Sequence, residues 1–249
     1  YLALKREYEK YHPDVLLLLF FTGNDVSDND AGLYAPDRGS RPKPWFTWSE
    51  GKALVLHGSP LAPPTSLKGR LKSQLRQNSH LYRFLKDRFT QLRTARGYSK
   101  GTVGGIPRPW YVYCKTPRTD FERAWKTTAA LIHALRIEAD STGAYLVAGI
   151  LPTDWRVEPD QLQKVLTRYP AMSDTSAWDF TWPDQRARAM FAREGIPAVG
   201  LTPVLVDARR AEDVPLYGDH LTAPGHEVVA RRLAQFFREV VAPHFAASS

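Results

Sequence analysis

The feature that most constrains the fold is an uninterrupted apolar run, Val15 to Phe21, followed directly by the polar residues Thr22 to Asp25. A strand with one solvated face would alternate apolar and polar residues, and this run does not alternate. The run therefore predicts a strand buried on both faces of a parallel sheet. Because such sheets bind ligands just beyond the carboxyl ends of their strands, residues 22–25 are a candidate functional site.

A second unit of the same kind follows later in the chain. An apolar face with helical spacing predicts a helix over residues 119–141, and an apolar run predicts a strand over 144–150. Weaker patterns predict a further helix over 182–193 and a short strand over 196–199. Helices and strands in alternation predict an α/β fold with a parallel sheet.

Residues 26–118 interrupt this alternation and are predicted to be an insertion. Apolar segments at 45–48 and 53–56 predict a small hairpin, in which the two tryptophans are expected to pack rather than to stack on a substrate. Residues 66–95 have the spacing of helices, and residues 97–118, rich in glycine and proline, are predicted to be loop.

The positive charge of the chain is local. Residues 66–100 contain ten lysines and arginines and one acid, a net charge of +9, against +8 for the whole chain. Since the remainder is near neutral, the composition argues against a nucleic-acid-binding protein as a whole. The basic stretch is expected to be a solvated helix face, with contact to an anionic surface as the alternative.

Other properties exclude further classes. The single cysteine, Cys114, excludes a disulfide framework within the chain. No apolar run approaches the ~20 residues that a membrane-spanning helix needs. The glycines of residues 101–105 resemble neither a phosphate loop nor a dinucleotide fingerprint, because no strand precedes them and no helix follows directly.

A second candidate site lies before the last predicted helix, in residues 217–226. Asp219 and His220 stand side by side there, and Thr222 is placed to cap the helix that follows. A histidine at a helix entrance with an acid beside it is typical of a general base that serves a nucleophile. An ordinary turn is the alternative.

Together the two stretches resemble two of the four sequence blocks of the SGNH, or GDSL-like, serine hydrolases. Residues 20–26, Phe-Phe-Thr-Gly-Asn-Asp-Val, are similar to the third block, and residues 219–226 are similar to the fourth. The motifs are short, but the order of helices and strands is similar over most of the chain. The resemblance implies a three-layer α/β/α, flavodoxin-like parallel sheet and a single SGNH-type domain over residues 1–249.

The resemblance also implies roles for matching residues. His220 would be the general base, and Asp219 would orient its imidazole. Asn24 would donate its amide to the oxyanion of a tetrahedral intermediate, while Gly23 and Asp25 would support the loop. No metal or organic cofactor is implied.

Two details depart from the family. Its acid usually lies two or three residues before the histidine, whereas Asp219 is adjacent to His220. Asp213 or a backbone carbonyl is therefore the alternative partner of the imidazole. Gly23 directly precedes Asn24, where the family commonly has one residue between them.

A third departure is larger, because the blocks that carry the serine nucleophile and a second oxyanion glycine have no counterpart here. Ser27, Ser40, Ser59 and Ser66 are loop serines outside any Gly-Asp-Ser context. We therefore expect an N-terminally truncated domain whose serine lies upstream. The missing strands would leave a gap in the sheet, apolar faces and unpaired edges, so the fragment alone is expected neither to fold well nor to hydrolyse esters.

The sequence thus predicts the C-terminal part of an SGNH-type esterase or O-acyl(acetyl)transferase with a Ser-His-Asp mechanism. The expected substrate is an acylated carbohydrate, polysaccharide or lipid, and no nucleic acid is expected as a partner. The alternatives are a non-catalytic glycan-binding module on the same scaffold, or an anion- or nucleic-acid-binding protein that uses residues 66–100.

Overall fold

The computed structural model describes residues 10–30, 32–33, 44–48, 54–57, 102–218 and 220–246. Within these ranges the strands are β1 (Val15–Phe21), β2 (Trp45–Thr47), β3 (Val55–His57), β4 (Thr102–Val103), β5 (Ile106–Pro107), β6 (Tyr145–Leu151) and β7 (Ala198–Gly200). The α-helices are α1 (Asp25–Asp28), α2 (Thr119–Ser141), α3 (Asp154–Val157), α4 (Pro159–Arg168), α5 (Trp182–Arg193), α6 (Thr202–Ala211), α7 (Ala223–Phe236) and α8 (Ala242–Ala246), with 3-10 helices at Arg108–Tyr113 and Pro170–Ser173 and a π-helix at Phe237–Val241. The basic stretch 66–100 lies outside the described residues.

The main sheet is parallel, with the strand order β1-β6-β7. In its register Val15 lies opposite Tyr145, and Ala148 lies opposite Ala198. The predicted α/β class is therefore confirmed. The expectation of a gap in the sheet is wrong for these three strands, because β6 pairs with both β1 and β7. Helix α2 lies between β1 and β6 in the chain, and α5 lies between β6 and β7, as in right-handed α/β connections.

Helices cover both faces of this sheet. Alternate residues of the central strand β6 point to opposite faces, as in any strand. Leu146, Ala148 and Ile150 pack into one buried cluster with α2 and α5. Val147 packs into the other cluster with α6 and α7. The described part of the chain is thus layered as helix, sheet and helix.

The helix ends follow the sequence closely. Gly143 and Gly195 have φ values of +75° and +65°, the left-handed conformation that glycine adopts without steric cost, and they end α2 and α5. Backbone bonds close both ends, from Ala144 N–H to the Ala139 carbonyl and from Ile196 N–H to the Phe191 carbonyl, each at 2.9 Å. No helix in the described ranges combines the length and apolarity needed to cross a bilayer.

Strand β1 differs from its prediction. Phe20 is 2% exposed beneath α2, but Leu17 and Leu19 on the opposite face are 38% and 43% exposed. Leu19 lies beside Gly149 at the margin of the area that α7 covers. The prediction of burial on both faces is therefore wrong for β1 in this chain, since α7 lies over its neighbours rather than over β1 itself.

The insertion contains more structure than expected. The predicted hairpin is confirmed, since β2 and β3 pair antiparallel and Trp45 stacks on His57 at 4.1 Å between ring centroids. The predicted loop over 97–118 contains instead the β4–β5 hairpin and a 3-10 helix. Gly104 and Gly105 have positive φ values, +55° and +83°, which allow the two-residue turn between these strands.

Candidate active site

The two sequence motifs contact one common turn, Pro152-Thr153, which follows β6. From one side, the Tyr217 hydroxyl donates a hydrogen bond to the Pro152 carbonyl at 2.8 Å. From the other side, Gly23 packs so closely on Thr153 that a Cβ on Gly23 would lie 2.8 Å from the Thr153 methyl carbon. The loops that carry Asn24 and His220 are therefore held at the same carboxyl edge of the sheet, where open α/β sheets bind ligands.

Strand β1 positions the Asn24 loop through three bonds. The Thr22 N–H and hydroxyl both donate to the Leu151 carbonyl, at 3.0 and 3.1 Å, which ties the loop to β6. The Phe21 N–H donates to a carboxylate oxygen of Asp25 at 2.8 Å, which closes the loop on itself. Asp25 thus fixes the backbone beside Asn24.

Asn24 lies at the start of the short helix α1 but does not cap it with its side chain. Its amide nitrogen instead donates to a carboxylate oxygen of Asp28 at 3.2 Å. The Ser27 hydroxyl donates to the Asn24 carbonyl at 3.0 Å and secures the main chain. An amide has two N–H donors, and only one of them is directed at Asp28.

The His220 loop closes on itself between α6 and α7. The Thr222 N–H donates to the Leu216 carbonyl at 2.9 Å, and the Gly218 N–H donates to the His220 carbonyl at 2.8 Å. The predicted cap is confirmed, since the Thr222 hydroxyl accepts from the Gly225 N–H at 3.3 Å. His220 itself is exposed.

Asp219 and Asp213 are the two candidates for the acid that would orient His220. Asp219 lies outside the described residues. Asp213, the alternative, has a fully exposed side chain that pairs with Arg209 at 3.0 Å. Asp213, two residues beyond the end of α6, is therefore engaged in an ion pair with an arginine of that helix.

Sequence reasoning missed a partly buried carboxylate at the same edge, Asp184 in the first turn of α5. Its carboxylate accepts a 2.6 Å hydrogen bond from the Thr202 hydroxyl at the start of α6. Burial raises the pKa of Asp184, and the bond from Thr202 and the charges of Arg156 and Arg188 oppose the rise. The only local signal was an acid in the first turn of a helix, which is common and explained by the helix dipole.

Tyr217 is the first residue of the second candidate site, residues 217–226, and the sequence predicted no role for it. Burial raises its pKa, and the negative charges of Asp154 and Asp184 raise it further. The phenol therefore stays protonated at neutral pH and keeps its hydrogen bond to Pro152. The same charges show that the His220 loop lies near two carboxylates.

The raised pKa of Asp184 predicts how stability depends on pH. Its pKa in the folded state lies above 3.8, the ordinary value of an aspartate in the unfolded chain, so the folded protein binds more protons than the unfolded chain as pH rises through this range. Stability contributed by Asp184 is therefore present below pH 3.8 and is lost as pH rises through the folded pKa. Asp184→Asn, whose amide oxygen still accepts from Thr202, should gain stability relative to the wild type as pH increases.

Urea unfolding between about pH 2 and pH 7 measures this difference, because the folded pKa of Asp184 lies above 3.8 and that of the control residue Asp174 lies below it. Asp174→Asn is the control of opposite sign, because a hydrogen bond from Ser176 lowers the pKa of Asp174, so that variant should lose stability relative to the wild type as pH increases. A difference between Asp184→Asn and wild type that is constant or shrinks with pH would contradict the burial of this charge.

Close packing explains why position 225, in the motif before α7, is a glycine. A Cβ on Gly225 would collide with the Leu216 carbonyl oxygen, which is backbone and cannot rotate away. Gly225→Ala should therefore lower the free energy of unfolding by about 1–3 kcal/mol, as overpacked sites do. Gly218→Ala is the matched control in the same loop, because no heavy atom lies within 4 Å of its Cβ position. Equal thermal stability of the two variants would show that the 216–225 contact is not formed.

The chemistry of the edge is that of acid–base and hydrogen-bonding groups. It presents the exposed imidazole of His220, the amide of Asn24 and the partly buried carboxylate of Asp184. In the ranges that the structure describes, no three His, Cys, Asp or Glu side chains are grouped as metal ligands would be. Comparisons of the chain with models of protein families, with curated proteins and with solved structures found no match.

Proposed function

We propose that this chain is the histidine- and asparagine-bearing part of an SGNH-type serine esterase or O-acyl(acetyl)transferase. The observation that carries the proposal is the shared turn Pro152-Thr153, which the His220 loop contacts at Pro152 and the Asn24 loop contacts at Thr153. A base and an oxyanion donor at one strand edge are the two groups that a serine nucleophile requires.

The open side of β1 supports a nucleophile that comes from further polypeptide. Among the described residues, β1 pairs with β6 alone, so one edge of a largely apolar strand is free. The exposed faces of Leu17 and Leu19 lie on the same strand. A strand paired with this edge and a helix laid over the leucines would bury them and extend a flavodoxin-like sheet. We propose that the serine-bearing block joins there.

In the first chemical step, His220 removes the proton from the serine hydroxyl as the serine oxygen attacks the carbonyl carbon of an ester. The carbonyl oxygen becomes an anion, and the Asn24 amide donates a hydrogen bond to it. The tetrahedral intermediate then collapses. The carbon–oxygen bond to the alcohol breaks, and the imidazolium returns its proton to the departing alkoxide, leaving the acyl group on the serine.

In the second step, a hydroxyl group attacks the seryl ester by the same route. His220 takes the proton from the attacking hydroxyl and gives it to the serine oxygen as the acyl–enzyme bond breaks. Water as the attacking group makes the protein an esterase, and a sugar hydroxyl makes it an acyltransferase. Both outcomes need the same residues of this chain.

An acyl group needs an apolar site, and one lies beside Asp25, Asp28 and Asn29, which follow Asn24 in the chain. A cavity of about 330 Å³ lies beside the α1 turn. Leu18, Phe20, Trp45 and Leu131 provide apolar lining, and Asp28 lies at its polar side. We propose that the cavity receives the acyl group of an acylated carbohydrate, polysaccharide or lipid.

The direct test is an esterase assay on a polypeptide that contains both this chain and the serine block. We expect hydrolysis of p-nitrophenyl acetate and release of acetate from an acetylated polysaccharide. If the protein binds the polysaccharide but hydrolyses neither compound, a glycan-binding module on the same scaffold becomes the better account. Binding to heparin or DNA with a steep salt dependence, without hydrolysis, would instead indicate an anion-binding protein.

A further inference from the structure

The backbone that leads into His220 is held by one buried carboxylate, that of Glu158. One of its oxygens accepts hydrogen bonds from the Leu216 N–H at 2.7 Å and from the Tyr217 N–H at 3.0 Å. The other oxygen accepts from the Arg209 guanidinium at 2.6 Å. The Glu158 side chain is 8% exposed, so it is almost entirely withdrawn from water.

These bonds act on a loop that is closed at its far end. The Leu216 carbonyl accepts from the Thr222 N–H at 2.9 Å, and residues Tyr217 and Leu221 pair as an antiparallel bridge. His220 lies inside this closed segment. Fixing Leu216 and Tyr217 therefore limits the positions that the His220 backbone can adopt.

Burying a carboxylate is costly unless hydrogen bonds and a counter-charge compensate it. Here both compensations are present, and the bonds to backbone N–H groups are of the stronger, charge-assisted kind. Glu158 directly precedes helix α4, six residues after Pro152, to which the Tyr217 hydroxyl is bound. The segment 152–158 thus binds the His220 loop at two places, Pro152 and Glu158.

We infer that Glu158 is the positioning residue of His220. This inference rests on the proposed role of His220 as the general base. Glu158 itself reaches none of the reacting groups. It holds the backbone of residues 216–217 so that the imidazole stays aligned with the serine and with Asn24, and the ion pair with Arg209 fixes the position of the carboxylate.

Glu158→Gln tests the inference with little change in shape. A glutamine can keep one oxygen for the two backbone N–H groups only by turning its NH2 group toward Arg209, where two donors oppose each other and displace the side chain. We expect amide hydrogen exchange at Leu216 and Tyr217 to become about 10-fold faster, and the imidazole NMR signals of His220 to shift or broaden. In the serine-bearing protein, kcat should fall about 10- to 100-fold with KM little changed, as expected for a misplaced base.

The matched control is Glu122→Gln. Glu122 binds Arg186 with two hydrogen bonds, of 2.8 and 2.9 Å, between α2 and α5. This variant also loses an arginine–carboxylate pair, but the exchange at Leu216 and Tyr217 and the His220 signals should match the wild type. A comparable change in both variants would indicate a general loss of stability and would overturn the positioning role.

A second variant, Arg209→Met, covers the case in which Glu158→Gln does not fold by circular dichroism. It removes the counter-charge and leaves both backbone bonds, so it should produce smaller changes at the same two amides. Unchanged amide exchange and unchanged His220 signals in whichever variant folds would overturn the inference. Faster exchange with unchanged kcat would overturn it as well, because the loop would then be held without any effect on the base.

The proposed function of His220 and the positioning role of Glu158 can be refuted independently of each other. If His220→Ala retains full activity, the proposed function fails, and the exchange and NMR measurements still decide whether Glu158 holds the loop. If His220→Ala is inactive but Glu158→Gln behaves like the wild type, only the positioning inference fails.

Discussion

Replacing His220 by alanine is expected to lower kcat/KM for p-nitrophenyl acetate by at least about 10²- to 10⁴-fold, the usual contribution of a positioned general base. The loss should lie mainly in kcat, because the base acts on the serine and on the leaving group rather than on substrate binding. The side chain is exposed, so its removal should leave the thermal unfolding temperature nearly unchanged. Steady-state kinetics of the serine-bearing protein measures this effect.

His133→Ala is the control for this experiment. His133 is also largely exposed, at 59% of its side chain, but it pairs with Glu194 on the face of α2 rather than at the strand edge. It should keep wild-type kinetics. Full activity of His220→Ala, or an equal loss in both variants, would remove His220 from the mechanism.

Asn24→Ala is expected to lower kcat by about 10²- to 10³-fold, the usual effect of removing one oxyanion donor. KM should change little, because the bond forms with the anion and not with the ground-state carbonyl. The fold should tolerate the change, since the Asn24 side chain does not cap α1 and its 3.2 Å bond to Asp28 is partly solvated. Kinetics and thermal unfolding of the variant measure both quantities.

Asn29→Ala is the matched control for Asn24→Ala. Asn29 follows the same short helix, but its amide donates to the Thr128 hydroxyl of α2 at 3.2 Å. Its loss should cost about 1 kcal/mol of stability, the typical value for one hydrogen bond. Because Asn29 lines the proposed acyl cavity but donates to Thr128, its loss should change KM at most and leave kcat unchanged. If Asn29→Ala and Asn24→Ala reduce kcat equally, the effect of Asn24 comes from the integrity of the turn and not from an oxyanion contact.

Local features of this fold are readable from the sequence because they depend on neighbouring residues. Helix α2 has the predicted bounds, since Gly143 can adopt the left-handed conformation that ends it. Thr222 caps α7 because its hydroxyl reaches an N–H only three residues away. The parallel sheet follows from apolar runs in α/β alternation.

Features that depend on distant partners could not be read in this way. Glu158 binds backbone groups that are 58 and 59 residues away, and nothing near it in the chain indicates that it is buried. Asp184 and Thr202 meet only because two helices start at the same edge of the sheet. The run 15–21 has the same composition whether or not a helix covers Leu17 and Leu19, so their exposure was not predictable from the run.

The candidate site also has features that depend on neighbouring residues and features that depend on distant ones. The Asn24 and His220 motifs are recognisable because each is contiguous in sequence, but their common contact at Pro152-Thr153 required the fold. The acid partner of His220 stays a prediction, with Asp219 and Asp213 as the candidates. Comparing Asp219→Asn with Asp213→Asn by kcat separates the two, since only the residue that orients the imidazole should lower it.

The central claim is that His220 activates a serine carried by polypeptide outside residues 1–249. The most direct measurement is reaction of the serine-bearing protein with a fluorophosphonate, followed by peptide mapping by mass spectrometry. We expect one serine adduct, outside this chain, that forms in the wild type and is lost in His220→Ala. An adduct on a serine within residues 1–249, or one that forms equally well without His220, would contradict the account.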